Sequence, residues 1–377
     1  MSDPRVTKLA DVLVRYSLDV RPGQQLVLRT SPLAEELALA TYAEAVRAGA
    51  HVLTLVALPG AEEVYYKHAA DAQLDFISPV RRLITETFDA ALTIEADYNT
   101  RELSGVDPAR LARARKAAAP LSKIFLERAA RGDLRWCLTV YPSQALAQEA
   151  DMSLAAYREF VYGAGLLDQA DPVAAWREEE RRQRELIAWL AGHDRVALRG
   201  PDVDLTLSIR GRRFVEAAGK YNFPDGEIFT GPVEDSVQGW IRFHYPAIYD
   251  GREVTDIELW FEGGRVVKER ASKGQELLTS LLDTDAGARY LGEWGIGTNY
   301  GIRRFTKNML FDEKIGGTIH LAMGSTYPET GGVNESGLHW DMLCDMSAGE
   351  ITVDGELFYK NGKPVVPAAG EAPLRTA

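Results

Sequence analysis

The apolar periodicity changes partway along the chain, and that change constrains the fold more than any bulk property. In the first half, short β-like runs, QQLVLRT (24–30), HVLTLVAL (51–58), AALTIEAD (90–97) and RWCLTVYP (135–142), alternate with helical stretches at 34–49 and 107–130. Strands separated by helices of this length imply βαβ units and a mostly parallel sheet. After residue 194 the strand-like runs VDLTLSIRGRRF, DIELWFEGGRVV, GGTIHLAMG and EITVDGELFYKNGKPV carry Gly- or Asp-containing turns, and helical patterns become scarce. Asp354-Gly355 and Gly263-Gly264 are hairpin signals, which points to an α+β half with mainly antiparallel pairing. The amphipathic segment 176–192 carries Glu178–Arg182 and Glu180–Arg184 at helical spacing and marks the break. The expected domains are therefore an α/β domain over 1–192 and an α+β domain over 193–377. The tail 367–377 reads as loose.

A chain of 377 residues has room for two domains, each with its own core. A formal charge of −12 argues against nucleic acid or an anionic membrane surface as the main partner, because both attract basic patches. Two cysteines, Cys137 and Cys344, cannot build a disulfide framework or a thiolate-rich zinc site, which fits a reducing compartment. No leader-like N-terminus and no membrane-length apolar run is present, so the expected location is the cytoplasm. No G-x-G-x-x-G follows the first strand. Gly295-x-Gly297 lacks the third glycine that a dinucleotide loop needs.

The candidate chemistry lies in the second half. In LGEWGIG, strand alternation puts Glu293 on one face with Gly295 and Gly297, and Trp294 and Ile296 on the other. Glycines beside a carboxylate signal either a bulge or something approaching the backbone closely. In TIHLAMG, His320 shares its face with Ala322 and Gly324. In NESGLHWDML, His339 and Asp341 point one way and Trp340 the other, while Glu227 follows a Pro-Asp-Gly turn and opens an apolar strand. A lone strand histidine is usually a satisfied core residue, and an acid at a strand start can simply face water. Three carboxylates buried together, however, repel one another and lose hydration, and a pair of divalent cations removes both penalties. Carboxylate and imidazole ligands without thiolate suit Zn²⁺, Co²⁺ or Mn²⁺ in a two-metal hydrolase.

The four blocks NFPDGEIFTGPVEDSVQG, YLGEWGIGTN, IHLAMGSTYP and NESGLHWDML, in this order, resemble the signature blocks of the aminopeptidase T / aminopeptidase S family of dinuclear metallopeptidases. The resemblance covers roughly 200–360. It implies that Glu227, Glu293, His320, His339 and Asp341 are metal ligands, that Tyr327 lines the active site, and that a homodimer removes N-terminal residues from peptides. Segment 328–338 is shorter than in the longer members, which bears on substrate preference and the cavity entrance. The expected chemistry has Asp341 or Glu227 bridging two ions, Glu293 moving the proton, and Tyr327 hydrogen-bonding the oxyanion. Two alternatives accompany this reading. One is a two-metal hydrolase of a phosphoester or non-peptide amide, for which Arg242, Arg303 and Arg304 are available. The other is a non-catalytic α/β binding protein.

Overall fold

Leu26, Val27 and Leu28 are consecutive and all buried in the strand Gln25–Thr30, as a strand covered on both faces of a parallel sheet requires. In the computed structural model, which describes residues 3–249 and 251–365, this strand pairs in parallel with His51–Val56 and with Ala90–Glu95. Arg135–Val140 continues the sheet beside Ala90–Glu95. Helices Glu35–Arg47 and Pro108–Ala130 lie in the connections that the sequence assigned to helices. The tail 367–377 lies outside the described residues.

The first compact unit runs to Val173 and also takes in Gly219–Pro224. Within that short return, Asn222–Phe223 adds a fifth parallel strand beside Leu138–Thr139. Lys220 Nζ sits 3.5 Å from the centre of the Tyr16 ring, a cation–π contact that fastens the return.

The second unit comprises Ala174–Ala218 and the chain from Asp225 onward. The sequence assigned the charged helix to the first domain, whereas the helix Pro172–Leu190 falls almost entirely in the second unit. Side-chain packing explains the difference. Gln183, nearly fully buried, donates to the Ala217 carbonyl (2.9 Å) and to Thr298 Oγ1 (3.1 Å). Leu186, Ile187 and Trp189 pack on this unit's core. On the polar side both anticipated pairs, Glu178–Arg182 and Glu180–Arg184, form.

Two large antiparallel sheets dominate this unit, beside a two-stranded ribbon of Ala247–Tyr249 and Arg252–Val254. The larger has eight strands, among which Ile257–Glu262, Gln238–Phe243, Val203–Ser208 and Arg195–Gly200 are consecutive neighbours. Its hairpins turn where expected: Gly263-Gly264 and Asp354-Gly355 both have two successive positive φ values, the backbone of a type I′ turn. The smaller sheet has five strands in the spatial order His339–Asp345, Thr318–Gly324, Leu291–Gly297, Glu227–Thr230, Val215–Ala217. One face of this sheet carries Ile228, Trp294, Ile296, Ile319, Leu321, Trp340 and Met342, which join Leu198, Leu205, Ile241 and Leu259 of the larger sheet in a single buried cluster. The two sheets thus share one core, and period-2 alternation leaves the opposite face of the smaller sheet for other residues. Among the described residues no helix is long and apolar enough to cross a membrane.

Candidate metal centre

Register decides which side chains meet on that other face. His320 lies opposite Gly295, Asp341 opposite Ala322, and His339 opposite Gly324. Glu293 also pairs with Ala322, and Glu227 with Gly297. Directly opposed residues project to the same side of a sheet. Glu227, Glu293, His320, His339 and Asp341 are therefore drawn from four adjacent strands onto one surface. Apart from Leu343 opposite His320, the cross-strand partners of the ligand candidates are glycine or alanine, which leaves room for long polar side chains to converge. Gly295 makes this room by necessity: a Cβ there would fall well inside van der Waals contact with the His320 imidazole, which lies across the backbone of the Glu293 strand. Of the two readings of that glycine, close approach and not a bulge accounts for it; the irregularity in this pairing lies earlier, between Leu291 and Glu293.

All five side chains come together. His320 Nε2 stands 3.3 Å from Glu227 Oε2 and 3.3 Å from Glu293 Oε1. His339 Nε2 stands 3.4 Å from Glu293 Oε2 and 3.7 Å from Asp341 Oδ2. Two three-residue groups able to hold a metal ion result, Glu227–Glu293–His320 and Glu293–His339–Asp341. Glu293 is common to both and turns one oxygen to each, whereas the sequence reading had Asp341 or Glu227 in the shared position. The physical reason is strand order: Glu293 stands on the middle strand of the five, and alternation within one strand carries no information about its neighbours.

The other ring nitrogen of each histidine faces a carbonyl: His320 Nδ1 that of Glu313 (3.1 Å), His339 Nδ1 that of Ser325 (2.8 Å). Carbonyls only accept, so each Nδ1 carries a proton, and each Nε2 faces the cluster, where it holds a second proton or, with the ring neutral, offers a lone pair. Lone pairs and carboxylate oxygens facing one another at these distances require a proton or a cation between them. Glu227 Oε2 is buried and has no hydrogen-bond partner, which fits an atom awaiting a cation. The donor set, three carboxylates and two imidazoles, suits a divalent ion such as Zn²⁺, Co²⁺ or Mn²⁺.

Protonation equilibria carry the same strain. Burial pushes the Glu227 carboxyl up to about 8 against the pull of the Lys314 ammonium, and burial lifts Asp341 to about 6. Burial alone would lower His320, but the hydrogen bond to Glu293 and the Glu227 and Glu293 carboxylates carry it up to about 10; His339 rises in the same way to about 9. Burial would raise Glu293, yet its hydrogen bonds from His320 and His339 hold it at about 2. Without a cation, the cluster balances its charge with protons.

Tyr327 stands exposed at the rim, its ring edge-on to His339 (5.1 Å between centroids) and tilted against Phe229 (5.4 Å). The loop that carries it is firmly tied. Asn334 Nδ2 donates to the Gly287 and Gly324 carbonyls at 2.9 and 2.6 Å. Asp285 accepts from Ser336 Oγ (2.8 Å) and Gly337 N (2.6 Å).

Three further residues touch the cluster that strand patterns did not single out. Lys314, fully buried, reaches Glu227 Oε1 at 3.3 Å and Asp225 Oδ1 at 3.8 Å, and pairs with Glu313. They sit in a turn and just before a strand, where no periodicity sorts sides. Adjacent glutamate and lysine also read as solvated surface in sequence. Arg242, by contrast, is engaged by Asp256 (3.2 Å) and Asp202 (3.7 Å), and Arg303 Nε donates to the Tyr300 carbonyl (3.5 Å).

Comparison with known proteins supplies the family. The chain is 28% identical to aminopeptidase 2 of Geobacillus stearothermophilus, over 96% of this chain and 97% of that protein. It is 29% identical to aminopeptidase T of Thermus thermophilus, over 94% and 95% respectively. The solved structure of wild-type AmpT from Thermus thermophilus superposes with a TM-score of 0.83 at 26% identity, covering 96% of this chain and 99% of that one. With the family model described as Thermophilic metalloprotease (M29) matching residues 2–365, the chain belongs to the thermophilic metalloprotease family.

Proposed function

We propose that this protein is a metal-dependent aminopeptidase that hydrolyses the N-terminal bond of peptides with two divalent ions, Zn²⁺, Co²⁺ or Mn²⁺. The observation that carries the reading is Glu293, one oxygen of which faces Glu227 and His320's group and the other His339 and Asp341's. Charge supports the number of ions. Asp225, Glu227, Glu293, Glu313 and Asp341 bring five negative charges, Lys314 offsets one, and the remaining four match two divalent cations when both imidazoles are neutral. Family membership and the printed activities of the relatives support the exopeptidase assignment.

In this reading Glu227, Glu293 and His320 would hold one ion, and Glu293, His339 and Asp341 the other. When bound, the ions supply Lewis-acid polarisation of the scissile carbonyl and activation of the attacking water. With an oxygen turned to each group, Glu293 would serve both as a ligand, which would leave it no free oxygen for the base role expected from the sequence. Although Tyr327 as a whole is exposed, its phenol is crowded by protein, and that desolvation together with the neighbouring Glu293 and Asp341 carboxylates raises it well above its ordinary pKa, so it stays protonated. It donates a hydrogen bond to the carbonyl oxygen as negative charge develops there. A homodimer working on peptides is the form that the family resemblance supports, and the two-cysteine composition fits a reducing, cytoplasmic location.

Chelator-stripped protein reloaded with Co²⁺ or Zn²⁺ tests the proposal against amino-acid p-nitroanilides, their N-acetylated forms and a phosphomonoester. Metal-dependent cleavage of the free-amine anilides alone is expected. Equal turnover of acetylated substrates, or preference for the phosphoester, would overturn it.

A further inference from the structure

A lysine side chain with no solvent exposure is costly unless several acceptors surround it, and Lys314 has Glu227 Oε1, Asp225 Oδ1 and Glu313 around its ammonium. This contact takes one oxygen of Glu227 and leaves the other, Oε2, without a hydrogen-bond partner and 3.3 Å from His320 Nε2. The neighbouring peptide does the matching task for the histidine, since the Glu313 carbonyl accepts from His320 Nδ1. The turn itself is fastened: Asn299 N donates to the Lys314 carbonyl (3.0 Å), and Asn299 Nδ2 donates to the Asp225 carbonyl (2.8 Å). Two consecutive residues thus orient Glu227 and His320. His339 is oriented from elsewhere, by the Ser325 carbonyl.

We propose that Lys314 is a positioning residue that aims Glu227 Oε2 at the metal position shared with His320, and that it serves that position and not the one held by His339 and Asp341. The inference deepens the dinuclear reading and rests on it. Charge and position make opposite demands, which allows them to be separated. A buried ammonium repels nearby cations, so if Lys314 acted by charge alone, its removal would tighten metal binding. If it acts by position, its removal lets Glu227 turn and weakens binding at one position only. Loss of a residue that orients a ligand typically lowers metal affinity 10–100-fold.

The test is a calorimetric titration of the metal-stripped full-length protein with Co²⁺, with the Co²⁺ absorption spectrum followed in parallel, for the wild type, Lys314→Met and Lys314→Arg. The wild-type titration reads the dinuclear proposal on its own: binding of fewer than two ions counts against that proposal and leaves the comparison between variants intact. In folded Lys314→Met, one affinity is expected to fall 10–100-fold while any second is kept, with partial recovery in Lys314→Arg. Unchanged or tighter binding, or an equal loss at both positions, overturns the inference. Should Lys314→Met fail to fold, Asp225→Asn, which removes one anchor of the ammonium, is expected to weaken the same position several-fold, and wild-type affinity there overturns it.

Discussion

Tyr327 and the two histidines are the residues at which chemistry separates from architecture. Tyr327 touches His339 and Phe229 through its ring, and a phenylalanine there keeps both ring contacts. Tyr327→Phe is therefore expected to keep its full metal content and to lose about two decades in kcat, on the order of 3 kcal/mol. Loss of metal in that variant, measured by plasma mass spectrometry, would show that the phenol had been misread. The imidazoles give a pH dependence. In the metal-free protein their pKa values stand at about 10 and about 9, so at neutral pH incoming cations must displace protons from both rings. Protons compete with metal, and the apparent affinity should rise as pH increases from 6 to 8. Calorimetry at pH 7 in buffers of different ionisation enthalpy should report net proton release, and buffer-independent heats would contradict this.

At the scale of strands, the smaller sheet works because small residues lie opposite its long polar ones. Gly295 is the sharpest instance, since its missing side chain is the space that the His320 ring occupies. Gly295→Ala should leave the opposite, apolar face in the core while expelling His320. The expected result is at least a hundredfold loss of activity with depleted metal, at a stability cost of about 1–3 kcal/mol typical of overpacking. Retention of metal and activity would mean that the ring does not need that path. Alternation in the sequence already placed Glu293 with Gly295, His320 with Ala322, and His339 with Asp341, because one buried apolar face fixes which side every other residue takes. It could not show that Glu293 is the shared residue, which depends on strand order. Lys314, Glu313 and Asp225 were equally hidden: a turn has no period, and burial of a lysine follows from its three acceptors and not from its own apolarity.

Over the whole molecule, the change from βαβ to hairpin periodicity was enough to read a parallel-sheet unit and an antiparallel one. What escaped was the chain's short return at Gly219–Pro224, too brief for any strand signal, and the allegiance of helix Pro172–Leu190, whose apolar stripe does not name its partner. Because the cluster shares one sheet with the core of the second unit, cation binding and folding of that unit are coupled. Chelation should lower the thermal midpoint, and cation at about a hundred times its Kd should restore about 2.7 kcal/mol per site. A midpoint indifferent to chelator would mean that the centre contributes nothing to the fold. The two-ion proposal stands on Glu293 being shared between both cations. Anomalous diffraction from crystals soaked in Zn²⁺ or Co²⁺ tests it most directly. Two peaks are expected, one beside Glu227 and His320 and the other beside His339 and Asp341, each contacted by a different Glu293 oxygen; a single peak, or two peaks that leave Glu293 on one ion only, would contradict it.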